Sequence, residues 1–396
     1  MFPSLRSAVS LLLRASGRPA RRLSGCLLLG LAACGEGLVG PAAESCGPGP
    51  HFTAIPVAPG DLVLIAAYGG LGAPGHTLPT PHTGFMLGTE GAPVVSPGAL
   101  QITALRRTQY LVSPNRQGRE DYTADFRVCK EISGWFGHLT SLAPTIPQSQ
   151  VNWKECNRYS TAEETVETCR ASLSEVTLAA GEALGTGGMS IALGLMGLDF
   201  GLIDTRVDNG YVAQWRYSRE TRHAICPWDQ FEVGLQTQLY AKLRDGGRPW
   251  VTPGGEPRCG AMAVDLAGTA RGAWAPPTAT NPVQGNETAY LALANYPYRP
   301  QDSLALSLGP TALGARVAVV GRETSGRVNR AFEQVSADGQ IHCYGPDPLL
   351  PGSSWLLALT SPTRLSIRKV DHTPGASPCQ GDPATWSLAG AMELVR

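Results

Sequence analysis

Asp121-Tyr-Thr-Ala-Asp-Phe-Arg-Val128 alternates without a break. Tyr122, Ala124, Phe126 and Val128 fall on one side of an extended chain and Asp121, Thr123, Asp125 and Arg127 on the other, because successive side chains of a strand point to opposite faces. A helix would scatter both sets around its axis. Working outward, short apolar or alternating runs recur at Asp61–Tyr68, Ala92–Val95, Leu100–Arg107, Leu139–Leu142, Glu175–Leu178 and Gly197–Asp204. Beyond residue 259 they recur at Ala289–Ala294, Ala315–Gly321, Trp355–Leu359, Arg364–Arg368 and Ala391–Val395. Gly and Pro bound these runs, as they bound strands. With 47 Gly, 32 Pro and only 16% charged residues, the chain has few helix-friendly stretches. Two segments read as helix: Thr161–Ser172, with Thr161 as N-cap and Glu164 in the capping-box position, and Phe231–Arg244. The fold class is mainly β.

The start of the chain speaks to its compartment. Arg6, Arg14, Arg18, Arg21 and Arg22 precede a short apolar run, Cys26 to Ala33, with no acidic residue before Cys34. A basic region, an apolar region and small residues at the end form the pattern of a secretory signal. The run is much shorter than the roughly 20 residues of a membrane span. Leu31-Ala32-Ala33-Cys34 resembles the lipobox of bacterial lipoproteins. The resemblance implies a signal peptide over residues 1–33, cleavage before Cys34, lipidation of its thiol, and a membrane as partner. Gly35 after the cysteine points to the outer membrane by the same analogy, and several acyl chains on one cysteine would anchor durably. Residues 34–54, rich in Gly and Pro, read as a tether.

The full chain has 32 basic and 32 acidic residues; without the five leader arginines, 27 basic remain against 32 acidic, a net charge near −5. That balance argues against a nucleic-acid partner, which would want a basic face. After Cys34 come eight cysteines, Cys46, Cys129, Cys156, Cys169, Cys226, Cys259, Cys343 and Cys379. An even count in an oxidising compartment suggests disulfides. Proximity favours Cys156–Cys169 and Cys343–Cys379; the rest of the connectivity stays open. No Cys-x-x-Cys occurs, so a cysteine zinc site is not expected.

Three segments carry a resemblance to one family, in order. The first is Gly75-His-Thr-Leu-Pro-Thr-Pro-His82-Thr-Gly-Phe-Met86, followed by Glu90-Gly-Ala-Pro-Val-Val-Ser-Pro97. The second is Gly134-Trp-Phe-Gly-His138-Leu-Thr-Ser-Leu142. The third is Val176-Thr-Leu-Ala-Ala-Gly181-Glu-Ala-Leu-Gly185-Thr-Gly-Gly188 with Gly197-Leu-Asp199-Phe-Gly201. Together they resemble the lysostaphin-type (LytM-like) zinc metalloendopeptidase domain, over roughly residues 55–210. The resemblance implies a duplicated-hybrid-motif β domain over 55–245 with a helical insert at 144–172. A linker at 245–258 would lead to a small C-terminal β-barrel or sandwich domain over 259–396. The segments 259–274 and 324–344 resemble modules that follow degenerate domains of this family.

On that resemblance His82 matches the first metal ligand and His138 the catalytic histidine. Where the family has an Asp, this chain has Met86, or Phe85 with a one-residue gap; where it has two histidines, this chain has Gly197 and Asp199. Catalytic zinc takes three protein ligands and an open position. His82 and Asp199 supply two, and His76, six residues before His82, is a further donor across two prolines. No cofactor is therefore expected, with zinc implied only if an altered site holds it. Plainer readings stand beside each residue: His82 hydrogen-bonded at a strand end, His138 structural beside Trp135 and Phe136, and Asp199 bonding backbone amides in a Gly-Leu-Asp-Phe-Gly turn. His342 and His372 read as isolated surface residues, Arg106-Arg107 as a solvated pair, and Asn286-Glu-Thr288 as an unused glycosylation sequon.

The leading expectation is a lipid-anchored cell-envelope protein, a catalytically inactive metallopeptidase-like scaffold that binds an envelope glycan, peptide or protein. The alternatives are a zinc metalloendopeptidase acting on peptidoglycan peptides through His82, His138 and Asp199, and a purely structural surface lipoprotein.

Overall fold

A computed structural model describes residues 44–147, 151–160, 164–190, 196–245, 248–249, 259–260, 262, 265–279 and 287–396. The leader, Cys34, the start of the tether, Thr161, most of the 245–258 linker and Asn286 lie outside the described residues.

The first part of the chain builds one large antiparallel sheet. Its strands are β1 (Leu62–Ala66), β2 (His82–Leu87), β3 (Ala92–Val95), β4 (Leu100–Val112), β5 (Glu120–Arg127), β6 (Ile132–Leu142), β7 (Lys154–Ser160), β8 (Thr165–Leu178), β9 (Ala183–Gly187), β10 (Met189–Ser190), β11 (Met196–Asp204) and β12 (Ala224–Ile225). The main order is β1-β2-β11-β6-β5-β4-β8-β7; β10 and β12 pair with β11, and β9 bridges β3 to β6. The alternation quoted at the outset holds in β5, where Ala124 and Phe126 are buried in the core.

Phe85, Phe126, Phe136 and Phe200 come from β2, β5, β6 and β11 and are fully buried on one face. Phe136 and Phe200 stack with ring centroids 4.6 Å apart, and Phe52, Trp228 and Phe231 close over them. Burying each such side chain stabilises the fold by about 1.5–3 kcal/mol, so this aromatic layer fixes strand register. Every second residue then points to the opposite face: His82, Gly84 and Met86 on β2, Asp199 and Gly201 on β11, Trp135 and Gly137 on β6. The register sets Gly201 beside His82 and Trp135, and Asp199 beside Gly84 and Gly137.

The helical insert is corrected. Residues 154–160 and 165–178 are the strands β7 and β8, paired antiparallel. Thr165, Val166 and Thr168 are β-branched, and Cys156 is joined to Cys169 across the hairpin. Glu164 accepts hydrogen bonds from Arg116 and Ser113 rather than capping a helix. The second helix forms, shorter than the sequence suggests, as Val233–Tyr240 (α2), after a single turn at Arg219–His223 (α1). No helix of the described residues is long and apolar enough to cross a membrane.

After a two-stranded ribbon of β13 (Arg244–Asp245) and β14 (Arg248–Pro249) come two four-stranded antiparallel sheets. One holds β15 (Gly272–Trp274), β16 (Leu291–Asn295), β17 (Ser303–Leu308) and β18 (Arg316–Gly321). The other holds β19 (His342–Tyr344), β20 (Ser353–Ser361), β21 (Arg364–Asp371) and β22 (Met392–Val395). Leu291, Leu306 and Leu308 of the first sheet share one core with Trp355, Leu357 and Ile367 of the second, the arrangement of a sandwich, and the described residues form no closed barrel. Four disulfides tie the chain: Cys46–Cys129, Cys156–Cys169, Cys226–Cys259 and Cys343–Cys379. They include both pairs suggested by proximity and suit an oxidising, extracytoplasmic compartment. The described residues belong to one compact unit.

Candidate functional site

The face opposite the aromatic core carries a cluster of imidazoles and carboxylates. Asp199 lies inside β11, not in a turn, and its carboxylate stands between two imidazoles. Oδ1 is 3.7 Å from Nδ1 of His82 and Oδ2 is 3.5 Å from Nε2 of His138. Both separations exceed a hydrogen bond and make ion-pair contacts. Gly84 and Gly137 flank Asp199 on the neighbouring strands, and a Cβ at Gly137 would come within 3.2 Å of the Asp199 side chain. Neither neighbour has a side chain to cover that of Asp199, which stays 25% exposed.

His138 reaches the cleft through a defect in the ladder. On β5 and β6, Ala124 pairs with Phe136 but Tyr122 pairs with Leu139, so β6 carries one extra residue there. This is a β-bulge, a device that re-aims a side chain. His138 sits in it with φ of 60°, a left-handed backbone that costs a non-glycine residue about 1–2 kcal/mol. Nδ1 of His138 bonds Oδ2 of Asp121 at 2.6 Å, and Asp121 is buried. The Tyr110 hydroxyl donates to the same oxygen at 2.8 Å, Arg116 donates to that hydroxyl at 3.1 Å, and Arg116 also grips Glu164 at 2.6 Å. A continuous polar chain thus runs from Glu164 through Arg116, Tyr110, Asp121 and His138 to Asp199.

The electrostatics follow from this geometry. Burial opposes a charge on His138, yet Asp199 and Asp121 outweigh it and push its pKa up to about 9. Burial likewise opposes charge on Asp199, but His82 and His138 hold its carboxyl below the usual range. At neutral pH the centre of the site is therefore an imidazolium between two carboxylates. A cationic imidazole has no lone pair with which to bind a metal or to act as a general base.

His82 opens β2, and its ring lies 6.0 Å, centroid to centroid, from His76 and 6.5 Å from Trp135, both edge-on. His76 is exposed as a residue, yet desolvation of its ring and the neighbouring His82 lower its pKa to about 4. Of the two residues that the resemblance sets against an Asp, Phe85 points into the core and Met86 lies on the site face, its methyl folded toward Gly84. The fourth corner of the cleft is apolar.

Zinc, implied by the resemblance, can be tested against this donor set. Two zinc bonds of roughly 2.1 Å at a tetrahedral angle separate their ligand atoms by about 3.4 Å, close to the His82–Asp199 spacing. A third donor is missing. Among the described residues the only trio of ligand-type atoms lying within 4.8 Å of one another belongs to Cys46, His51 and Cys129. Its two cysteines are spent on their mutual disulfide. The donor set at Asp199 does not fit a three-ligand zinc centre.

Asp121, Tyr110 and Arg116 escaped the reading of the sequence. Asp121 was signalled by its place in the polar half of the opening alternation, where it is buried rather than solvated; Tyr110 and Arg116 lie outside that stretch and carried no such signal. Two other expectations change. His342 is buried, with 6% of its surface exposed, and is no surface residue. His372 is half-buried and bonds the hydroxyl of Ser354, itself fully buried, at 2.9 Å. Arg106 pairs with Asp125 at 2.8 Å and Arg107 lies over Trp153, so both are held by neighbours.

No protein-family model, curated protein or solved structure matches the chain.

Proposed function

We propose that the chain is an exported, lipid-anchored envelope protein whose His–Asp cleft binds an envelope glycan or peptide without hydrolysing it. The observation that carries this reading is the placement of Asp199 between His82 and His138, with Asp121 behind His138 and Met86 in the remaining corner. His138, held protonated between Asp199 and Asp121, offers neither a metal ligand nor a base. The imidazole edges, the Asp199 oxygens and the face of Trp135 are groups that recognise amides and hydroxyls. Support for the compartment comes from the basic leader, the Leu31-Ala32-Ala33-Cys34 lipobox and the four disulfides. Lipid on Cys34 would hold the protein to the outer membrane, within reach of peptidoglycan and other envelope proteins. The three segments similar to lysostaphin-type peptidases support a peptidase-like scaffold, and the acidic balance of the exported part argues against nucleic acid.

One observation favours a second reading. His76 stands beside His82, and a turn of its loop would bring a third donor to the His82–Asp199 pair, as an altered zinc endopeptidase needs. One preparation separates the two readings: the protein purified without chelator, with His82→Ala and Asp199→Ala beside it. Zinc content is measured, and then both binding and cleavage of soluble muropeptides. The expected result is no stoichiometric zinc, no cleavage, and muropeptide binding weakened at least tenfold in Asp199→Ala. Near-stoichiometric zinc that is lost in both variants, together with cleavage, would replace this reading with the hydrolase. Absence of muropeptide binding would leave a structural protein.

A further inference from the structure

The segment Arg327-Val-Asn-Arg330 is laid along β19 and fixed there. The Cys343 amide donates to the Arg327 carbonyl at 2.9 Å and the Asn329 amide to the Cys343 carbonyl at 2.8 Å. Asn329 takes a left-handed φ of 49°, and its side chain accepts the Gly345 amide at 2.9 Å. Cys343 is bonded to Cys379 beneath the segment. The backbone that carries Arg327 and Arg330 is thereby held on a rigid base, and both residues line one cavity. Arg327 rests over the Trp386 ring, 5.4 Å from its centroid, and Arg330 is steadied by the Thr324 carbonyl.

Between these arginines and the 334–340 loop lies an open cavity of about 380 Å³, lined by Arg327, Arg330, Gln334, Asp338, Gln340 and His342. That size suits a small ligand. The residues are graded by depth: His342 is buried, the two arginines are half-buried, and Gln334, Asp338 and Gln340 are exposed at the rim. Nδ1 of His342 is buried with no hydrogen-bond partner. A buried polar atom left unpaired costs about 1–3 kcal/mol, a cost that a hydrogen bond from water or a ligand would remove.

We infer that this cavity is a binding site for a sugar acid, a single carboxylate on a hydroxylated ring. The charge count selects a monoanion. Two arginines and one carboxylate, that of Asp338, line the cavity, while burial, helped by the two arginines and opposed by Asp338, keeps His342 below its usual pKa. The paired forks of Arg327 and Arg330 match a carboxylate's two oxygens. Asp338 would repel the second charge of a phosphate, but it can accept a sugar hydroxyl. One of its oxygens already takes the Gln340 amide at 2.9 Å, which orients it. The side-chain amides of Gln334 and Gln340 can both donate to and accept from further hydroxyls. The site shares no residue with the His–Asp cleft, so either can fail without the other.

Calorimetric titration of the full chain with glucuronate, glucose, glucose 6-phosphate and an acetylated dipeptide tests the assignment. Glucuronate is expected to bind saturably, and each of the other three at least tenfold more weakly, the scale set by losing one charge-assisted pair. Arg330→Gln should lose at least tenfold in glucuronate affinity. Gln334→Ala, at an exposed rim position where folding is not at stake, should lose several-fold. Absence of glucuronate binding, equal binding of glucose, tighter binding of the phosphate or the dipeptide, or wild-type affinity in Gln334→Ala and Arg330→Gln would each overturn it.

Discussion

His138 is held in a conformation its own chemistry disfavours. Its φ of 60° is costly, and a quarter-exposed imidazole gives up much of its hydration, yet it carries a proton up to about 9 because Asp121 and Asp199 lie on opposite sides of the ring. A histidine whose folded pKa is raised stabilises the fold fully below its unfolded pKa of about 6.5 and loses that contribution as pH climbs through the folded value. For His138 the window is about pH 6.5 to 9, and the interaction is on the order of 3 kcal/mol. Asp121→Asn keeps the shape and removes one of the two charges. In that variant the His138 ring resonance should titrate well below the wild-type value by NMR, and stability should fall less between pH 7 and pH 9. An unchanged titration midpoint would mean that Asp121 does not set the charge of His138. At this scale the sequence grouped three residues of the site but missed Asp121, Tyr110 and Arg116 and did not show how they are wired. His82, His138 and Asp199 do meet. The partner of His138 depends on a bulge that adds one residue to β6, and alternation alone cannot reveal a one-residue slip.

Among the strands, β11 is the element on which the site depends. It lends Phe200 to the aromatic core and, one residue to either side, sets Asp199 and Gly201 on the other face. The Trp135 ring lies directly over Gly201, so a Cβ there would meet the indole. Gly201→Ala should therefore push Trp135 off the sheet and away from His82, at about 1–3 kcal/mol, the usual cost of overpacking. Urea unfolding followed by tryptophan emission would register both the lower midpoint and a shifted native spectrum. Gly75→Ala, where a Cβ meets nothing within 4 Å, is the matched control, and equal midpoints for the two variants would refute the claim. Element types were well marked where apolar spacing was regular: Ala92–Val95 has the expected bounds, and β5 and β11 differ from theirs by a residue. The failure of the helix expected at Thr161–Ser172 has a physical cause; Glu175–Leu178 is strand as expected. Thr161 and Glu164 have the spacing of a capping box, but the β-branched residues after them, the Cys156–Cys169 bond and the pull of Arg116 on Glu164 all favour a hairpin. A short polar segment follows its tertiary partners more than its local signals. Strand β2 was hidden for a related reason: His82-Thr-Gly-Phe-Met carries a glycine and a polar residue where its neighbours carry apolar ones.

Across the whole molecule, the sheet that bears the cleft and the sandwich behind it are joined by polar contacts as well as by shared core. Ala273 and Ala292 of the sandwich pack into the first core, the Tyr298 hydroxyl accepts the Ala67 amide at 3.0 Å, and the Glu287 carboxylate accepts the Leu78 amide at 2.6 Å. Glu287 thus grips the loop that carries His76 toward His82. Burial is the main influence on this carboxyl and pushes its pKa up to about 7, against the pull of the Leu78 and Thr77 amides. The sign follows from linkage: the unfolded chain ionises this group near pH 4.5, the folded chain only near 7, so folding loses stability as pH rises between those values and is level above them. Glu287→Gln keeps an oxygen for the Leu78 amide and never ionises. It should be close to wild type in stability at pH 4.5 and more stable than wild type by about 1–3 kcal/mol at pH 8. Denaturant melts of both proteins at the two pH values give the difference directly. A Glu287→Gln effect of the same size at pH 4.5 and pH 8 would show that this carboxyl ionises as freely in the folded protein as in water, and that the contact between the His76 loop and the sandwich does not respond to pH.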